Sequence, residues 1–374
     1  MAAIAGHATP AGTSRFADWA VGKMGVSDGH FREFCGLRLS SLGIGTYLGD
    51  VDAETDRLVE DAVFQSVSSG AVNVIDTAIN YRLQRAERSV GRAVARLAGS
   101  EVAQGGREAL FVCTKNGYLS SDGELALDFW SYIHNEFIRP GKLKPDEIAG
   151  EAHSMAVPFL RDQLRRSLAN LGLECVDLLY LHNAAESWLA ELGYRRFIEK
   201  LWEVFKAYED ERKKGCVLFY GMATWSCLRV ARGDAEHVNL DDVVDVAKGV
   251  GGEEHGFRFV QLPFNVAMNE ALTQKSQRIA DEPLTTFEAA RELGVGVFTS
   301  APLSQARLLT HKRVPELEGS KALSLIQFAR SAHPAVLAPL IGQKSPGHVK
   351  ENLRIAKTPP LTQPEFRAMY EGLI

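Results

Sequence analysis

Asn73 to Gly91, NVIDTAINYRLQRAERSVG, is the stretch on which the reading of the chain turns. Val72, Val74 and Ile75 make a short β-branched strand that ends in Asp76-Thr77-Ala78, turns through Asn80-Tyr81 and enters a charged helix. An acid at the end of a buried strand, with a tyrosine five residues on, sets a carboxylate and a phenol on one rim of a sheet. Two other apolar strands close on a polar residue in the same way. Leu110 to Lys115, LFVCTK, ends on a lysine, and Val176 to His182, VDLLYLH, ends on a histidine. In a parallel barrel the carboxyl ends of the strands converge on one face, where active sites of that architecture are built. Asp76, Tyr81, Lys115 and His182 are therefore expected to share a pocket.

Outward from these strands the chain alternates. Ser40–Thr46 precedes the helical stretch Glu54–Ser69, Val72–Asp76 precedes a helix beginning near Gln84, and Leu110–Lys115 leads, after a long interruption, to Met155–Leu171 with Gly172 as its stop. Cys175–His182 precedes Gly193–Lys214, and Val217–Met222 precedes the helical DDVVDVAKGV. Phe257–Leu262, Val295–Ser300 and Val336–Ile341 precede helices Leu284–Leu293, Lys321–Ala332 and Pro346–Ala356. Eight strand-then-helix units are what closes an α/β (β/α)8 TIM barrel. The alternative is a doubly wound open sheet, but no GxGxxG follows the first strand.

The 374 residues fit one such barrel over residues 36–374. The first 35, rich in Ala, Gly, Ser and Thr, read as a flexible N-terminal extension without the apolar run of a secretory signal. A net charge of −5 and a pI near 6.1 leave no basic excess for nucleic acid or an anionic membrane. The cluster Arg161, Arg165, Arg166 reads as a solvated helix face. No apolar run suits a membrane span. The cysteines Cys35, Cys113, Cys175, Cys216 and Cys227 lack CxxC spacing, so no metal and no disulfide framework is signalled, and a reducing cytoplasm is the expected setting.

The interruption after the third strand, 116–154, carries Gly117, Gly123, Pro140, Gly141 and Pro145 with the aromatics Tyr118, Phe129, Trp130, Tyr132 and Phe137. Leaving the strand that ends at Lys115, it lies on the rim of the candidate catalytic groups, where it reads as a substrate loop or lid. A surface excursion whose aromatics pack a local core is the other reading.

Together these blocks resemble the aldo-keto reductase family. LSSLGIGTYLG is similar to its opening strand, VIDTAINY with Glu87 and Gly91 to its DTAxxY...SExxxG block, FVCTKNG to its lysine strand and LGLECVDLLYLHN to its histidine strand. QLPFN, GVFTSAPL and IGQKSPGHVKEN resemble its later cofactor-side motifs, so the likeness runs from about Leu39 to Ala356. The resemblance implies hydride transfer between a nicotinamide cofactor, usually NADPH with NADH left open, and a carbonyl or alcohol such as an aldehyde, ketone or sugar. It further implies cofactor contacts from Thr46, Asp76, Thr224, Gln261, Ser300, Pro302, Leu303, Gly342, Lys344, His348, Glu351 and Asn352, with Asn265 on the nicotinamide side. Tyr47, Tyr118, Asn183 and Trp225, with Trp188, are candidates for the substrate wall. The chain departs from the family pattern in Gly221-Met222-Ala223-Thr224-Trp225 after strand five, where only Thr224 offers a hydrogen-bonding side chain to the carboxamide. It departs again in Ser300 where many members carry a tyrosine, with Phe298 two residues earlier, and in Arg82 after the tyrosine.

The chemistry follows from the residues as well. A hydride arriving at a carbonyl carbon leaves an alkoxide, so a proton donor must stand beside the oxygen. Tyr81 is that donor, Lys115 the neighbouring cation, Asp76 the counter-ion that lets a lysine be buried, and His182 a hydrogen-bond donor to the carbonyl. Ser345-Pro346 reads as an N-cap with proline in the first turn, leaving backbone N–H groups for a phosphate, and Lys344 or His348 would meet a 2'-phosphate. Singly, each residue has a bland reading as a cap, a half-buried aromatic or a solvated side chain. Two other functions stay open: a cofactor-binding regulatory subunit on the same barrel, and a barrel hydrolase or isomerase using Asp76 and His182. The tail Thr362–Ile374 closes the barrel end or meets another subunit, and the oligomeric state is unknown from sequence.

Overall fold

Parallel strands β1 Gly43–Gly45, β2 Val74–Asp76, β3 Phe111–Asn116, β4 Val176–His182, β5 Val217–Ala223, β6 Phe257–Pro263, β7 Gly296–Ser300 and β8 Val336–Gly342 close into one barrel. β8 pairs with β1 and β6 with β7, which seals the cylinder. The computed structural model describes residues 2–100, 105–150 and 152–373. The strands are followed in turn by helices α1 Ala53–Ser68, α2 Arg85–Ala98, α3 Val157–Leu171, α4 Ala184–Lys213, α5 Leu240–Gly251, α6 Thr286–Glu292, α7 Lys321–Ser331 and α8 Pro346–Leu353.

Strands buried on both faces read as nearly continuous apolar runs, and alternate residues still point to opposite sides. Val74, Phe111, Cys113, Leu178, Tyr180, Phe259, Phe298 and Ala338 fill the barrel interior, while Ile75, Val112, Leu179, Leu181, Val260 and Val297 join the core shared with the helices. Counting two residues on from Val74, Cys113, Tyr180, Phe259 and Phe298 gives Asp76, Lys115, His182, Gln261 and Ser300. The apolar fill therefore gives way to a polar layer at the carboxyl ends of these strands.

The first 35 residues are a correction to the expected flexible extension. Pro10–Met24 is a helix capped by Thr9, whose hydroxyl accepts from Gly12 N at 3.0 Å, and it ends on Gly25 in the left-handed region. Phe16, Ala17 and Ala20 are buried. Small residues make that contact possible: a Cβ on Gly12 would stand 2.3 Å from the Glu108 carbonyl oxygen. Residues 31–34 then pair antiparallel with 37–40, and this hairpin sends Leu37 and Leu39 into the interior cluster, closing the barrel's amino end. Beside it Ala8 N donates to Asp177 Oδ1 at 2.6 Å, and Arg107 meets Asp177 Oδ2 at 2.6 Å.

Other departures are local. The span α4 is two helices end to end: an unexpected short one from Ala184 that breaks at Gly193, whose φ of 69° and ψ of 162° are not helical, and the expected long one from there to Lys213. Arg166 is not on a solvated face; it pairs with Asp162 at 2.6 Å and Glu136 at 2.8 Å, tying α3 to the residues between β3 and α3. In that segment Phe129–Ile133 runs on into a π-helical turn, His134–Ile138, and Tyr132, Ile133 and Phe137 are buried, Phe137 edge-on against Phe159 at 5.0 Å. The tail packs Phe366 and Tyr370 on Phe328 of α7, with Tyr370 Oη donating to Ser324 O at 2.6 Å. No helix among the described residues is long and apolar enough to cross a membrane.

Since Phe16 is completely enclosed, Phe16→Ala is expected to cost about 3–5 kcal/mol of unfolding free energy, read from a urea titration. A wild-type midpoint in that variant would show the N-terminal helix to be undocked.

Candidate active site

Lys115 has no solvent exposure, and its ammonium lies 2.6 Å from Asp76 Oδ2 and 2.9 Å from the Thr77 carbonyl oxygen. From across the barrel Gln261 Nε2 donates to Asp76 Oδ1 at 2.9 Å, so both carboxylate oxygens are engaged. The ammonium stands 4.7 Å from the centre of the Tyr81 ring. Burial works against the Lys115 charge, but Asp76 and Tyr81 together outweigh it and hold the ammonium above its usual pKa. Burial likewise raises the Tyr81 phenol, with the Lys115 charge pulling the other way. Tyr81 thus keeps its proton at neutral pH beside a cation ready to stabilise the phenolate.

Tyr81 is aimed by an unusual turn. Arg82, Leu83 and Gln84 have φ of 49°, 54° and 74°, a run of left-handed residues that costs energy unless the surroundings impose it. The surroundings do. Arg82 Nη1 donates to Asp56 Oδ1 of α1 at 2.6 Å, Gly123 N donates to Leu83 O at 3.0 Å, and Gln84 Nε2 donates to Ser121 O at 3.2 Å and to Tyr132 Oη at 3.1 Å. Arg82 after the tyrosine is therefore a left-handed position held by an ion pair. Below it the buried Glu87 carboxylate accepts from Thr114 Oγ1 at 2.6 Å and Asn170 Nδ2 at 2.8 Å, locking α2 to β3 and α3.

His182 closes β4 with its ring edge-on to Tyr81 at 5.9 Å and to Tyr118 at 5.1 Å. Burial, then the Lys115 charge, drives its pKa well below the usual imidazole value, so the ring is neutral. Its Nδ1 is enclosed without a partner among the described residues, and since the residue lines the cavity, Nε2 is the nitrogen left to serve it.

These groups open onto a cavity of about 1300 Å³. Its wall includes Asp76, Tyr81 and His182, with Lys115 beneath. It also includes Thr46, Thr224, Gln261, Ser300, Pro302, Leu303, Gly342, Lys344, His348, Glu351 and Asn352, together with Tyr47, Tyr118, Asn183 and Trp225. The structure thus brings the candidate residues into one place. Three residues named from sequence are elsewhere. Asn265 is fully buried and spends its side chain on the Ala301 carbonyl and the Ala267 and Met268 amides. Phe298 is stacked on Phe259 inside the barrel at 5.7 Å. Trp188 is buried on α4 behind the wall. Asn80, Gln305, Glu316 and Ser320 line the cavity without a signal in the sequence that would have named them, apart from the nearness of Asn80 to Tyr81, and Gly49 and Gln343 line it from within the quoted blocks that resemble the family's.

The wall also offers what a dinucleotide needs. Thr224 Oγ1, on the wall of the same cavity, is buried without a partner among the described residues, a group suited to a carboxamide. At the far end Ser345 caps α8 by position but makes no side-chain bond there, and Pro346 opens the helix, so hydroxyl and first-turn N–H groups are free for a phosphate. Lys344 Nζ reaches across the groove to within 3.2 Å of where a Cβ on Gly49 would stand. Asn352 is held by Gln343 at 3.0 Å and Glu351 by Ser320 at 2.6 Å, which fixes both side chains on the cavity wall.

The model of the aldo/keto reductase family matches residues 41–321, and the chain belongs to that family of oxidoreductases. Over 365 residues it is 20% identical to YqkF of Bacillus subtilis (strain 168), described as an uncharacterized oxidoreductase, covering 93% of this chain and 94% of that one. Among solved structures it is similar to the holo form of an aldo-keto reductase from Bacillus halodurans (19% identity, 92% and 95% of the two chains, TM-score 0.58). It is also similar to an aldo/keto reductase from Klebsiella pneumoniae in complex with NADP and acetate (17% identity, 90% and 92%, TM-score 0.57). At these identities the structural likeness speaks for the fold.

Lys115→Met alone leaves a buried carboxylate without its cation and is expected to cost about 3–5 kcal/mol in a denaturant titration. Combining it with Asp76→Leu is expected to recover most of that loss. A single variant as stable as wild type would contradict the buried pair.

Proposed function

We propose that this enzyme interconverts a carbonyl and an alcohol with NADP(H), Tyr81 acting as the general acid and base. The observation that carries the reading is the buried Lys115–Asp76 pair set under the Tyr81 ring, with the neutral His182 across the same pocket. When bound, the nicotinamide supplies or accepts the hydride. His182 Nε2 holds the substrate oxygen by a hydrogen bond and Tyr81 Oη gives it a proton as negative charge develops. Lys115 stabilises the phenolate that remains, and Asp76 keeps the ammonium charged and fixed. In the oxidising direction the phenolate takes the proton back. Asp76 is unsuited to act as a hydrolytic base, since both its oxygens already accept hydrogen bonds and it is 3% exposed.

Thr224 and Gln261 would hold the carboxamide end, and Lys344, Ser345 and the start of α8 a 2'-phosphate. On the substrate side Tyr47, Tyr118, Asn183 and Trp225 carry no charge, and Tyr47 and Trp225 are 58% and 50% exposed as open aromatic faces. That wall suits an uncharged substrate with a flat apolar face, such as an aryl aldehyde or a sugar ring. We place the reaction in the cytoplasm, with residues 116–154 forming part of the substrate wall through Tyr118.

Absorbance assays of NADPH oxidation against aldehydes, ketones and sugars are expected to show turnover that falls at least about a hundredfold in Tyr81→Phe while NADPH still binds. Absence of any nicotinamide binding would refute the proposal. With the phenol pKa raised, its protonated form persists past the ordinary value of about 10, so carbonyl reduction is expected to stay level from pH 6 to 8 and decline only above about pH 10. Alcohol oxidation, which needs the phenolate, rises with pH over the same range; a reduction rate that halves by pH 7 would contradict the assignment. Lys344→Met should raise the KM for NADPH on the order of tenfold and leave that for NADH nearly unchanged. Equal effects on both would remove Lys344 from the 2'-phosphate site.

A further inference from the structure

Behind His182 lies a second histidine that the proposed reaction does not use. His153, on the segment between β3 and α3, is fully buried and has both ring nitrogens occupied: Nε2 lies 2.8 Å from the His182 carbonyl oxygen and Nδ1 lies 3.0 Å from Trp188 Nε1. An indole N–H only donates. Nδ1 must therefore accept, the proton sits on Nε2, and the bond to His182 is a donated N–H···O=C. Burial pushes the His153 pKa down to about 4, which preserves that tautomer through the neutral range. The site leaves no slack. Gly117, at φ 120°, meets the ring with a bare Cα, and a Cβ there would stand 2.4 Å from Nε2.

What the bond holds is the point where strand turns into helix. His182 ends β4, Asn183 is left-handed (φ 46°) with its N–H on Ala223 O at 2.6 Å, and α4 starts at the next residue. The His182 ring has no hydrogen bond of its own among the described residues and is bounded by the edges of Tyr81 and Tyr118. Tyr118 in turn packs edge-on against His153 at 5.2 Å. One buried ring thus fixes both the carbonyl of His182 and the aromatic side chain that sets its plane.

We infer that His153 is a positioning residue for His182: its Nε2–H bond to the His182 carbonyl, with the proton placed by Trp188, fixes the direction in which His182 presents Nε2 to the pocket. The role rests on the proposed reduction, in which His182 holds the substrate oxygen. It gives residues 116–154 a task other than that of a lid, since the same segment also fixes the turn after Tyr81 through Gly123, Ser121 and Tyr132. A misplacement of about 1 Å at such a donor costs on the order of a hundredfold in rate.

Three variants test this. His153→Leu removes both bonds, His153→Gln keeps an amide donor, and Trp188→Phe keeps the imidazole but frees its tautomer. The first readout is the long-range 1H–15N spectrum of protein labelled at histidine, which needs neither cofactor nor substrate. Wild type is expected to show His153 neutral with the proton on Nε2, and the His182 ring signals are expected to move in His153→Leu and return toward wild type in His153→Gln. The second readout is a kcat lowered on the order of tenfold to a hundredfold in His153→Leu, largely rescued in His153→Gln, with NADPH affinity unchanged. Unmoved His182 signals or wild-type kcat in folded His153→Leu would overturn the inference. If that variant does not fold, Trp188→Phe carries the spectral test, with shifted His182 signals expected and unshifted ones overturning it. A wild type that neither binds nor oxidises NADPH would instead refute the reductase reading, and the spectra would still decide whether His153 sets the His182 ring.

Discussion

The buried ion pair between Lys115 and Asp76 is the constraint around which the molecule is arranged. Enclosing a lysine without a partner costs several kcal/mol, and so does enclosing a carboxylate, so neither residue is tolerable on its strand without the other. Their meeting at 2.6 Å requires β2 and β3 to be neighbours in register, and the second carboxylate oxygen requires Gln261 from the far wall of the closed barrel. Barrel closure and charge burial are thus coupled. The apolar rings below this layer, Phe111, Phe259 and Phe298 among them, keep water from the underside of the pair, so its field acts on Tyr81 with little screening.

A second level of order lies around the pair. Tyr81 and His182 both sit where regular structure ends, at places the backbone would not hold unaided: a left-handed run after Tyr81 and a left-handed residue after His182. Each is secured from outside. Asp56 of α1 holds Arg82, and the segment following β3 supplies Gly123, Ser121 and Tyr132 on one side and His153 on the other. Strain in the residues that follow Tyr81 and His182 is balanced by hydrogen bonds from elements remote in sequence, as in a preorganised site.

How far this was legible in the sequence depends on the kind of signal. The strands announced themselves because burial on both faces makes them largely apolar, and each of three closed on an ionisable residue at its carboxyl end, which is how Asp76, Lys115 and His182 stood out. Thr224, Ser300 and Lys344 were named through the motifs that resemble the family's, and they line the cavity because each stands at or just after the carboxyl end of a strand. The N-terminal helix was missed because alanine and glycine, read by composition, suggest a loose chain, whereas Gly12, Ala17 and Ala20 are small in order to pack. Phe298 sits on the inward face one layer below Ser300, inside the apolar fill, and Asn265 lies past the end of β6 in a loop whose backbone takes up its side chain, so neither reaches the pocket. His153 carried no local signal. Its partners, His182 and Trp188, lie 29 and 35 residues on, and only the folded chain brings them together.

The claim that Tyr81 and Lys115 work as one unit is tested most directly by kcat for carbonyl reduction in Tyr81→Phe, Lys115→Met and the double variant, each checked for folding and NADPH binding. Residues that serve a single proton transfer are not additive. The account predicts a double variant no slower than the worse single one, within about threefold. Losses that multiply, with the double variant slower by the product of the two, would contradict it and assign the lysine a separate role.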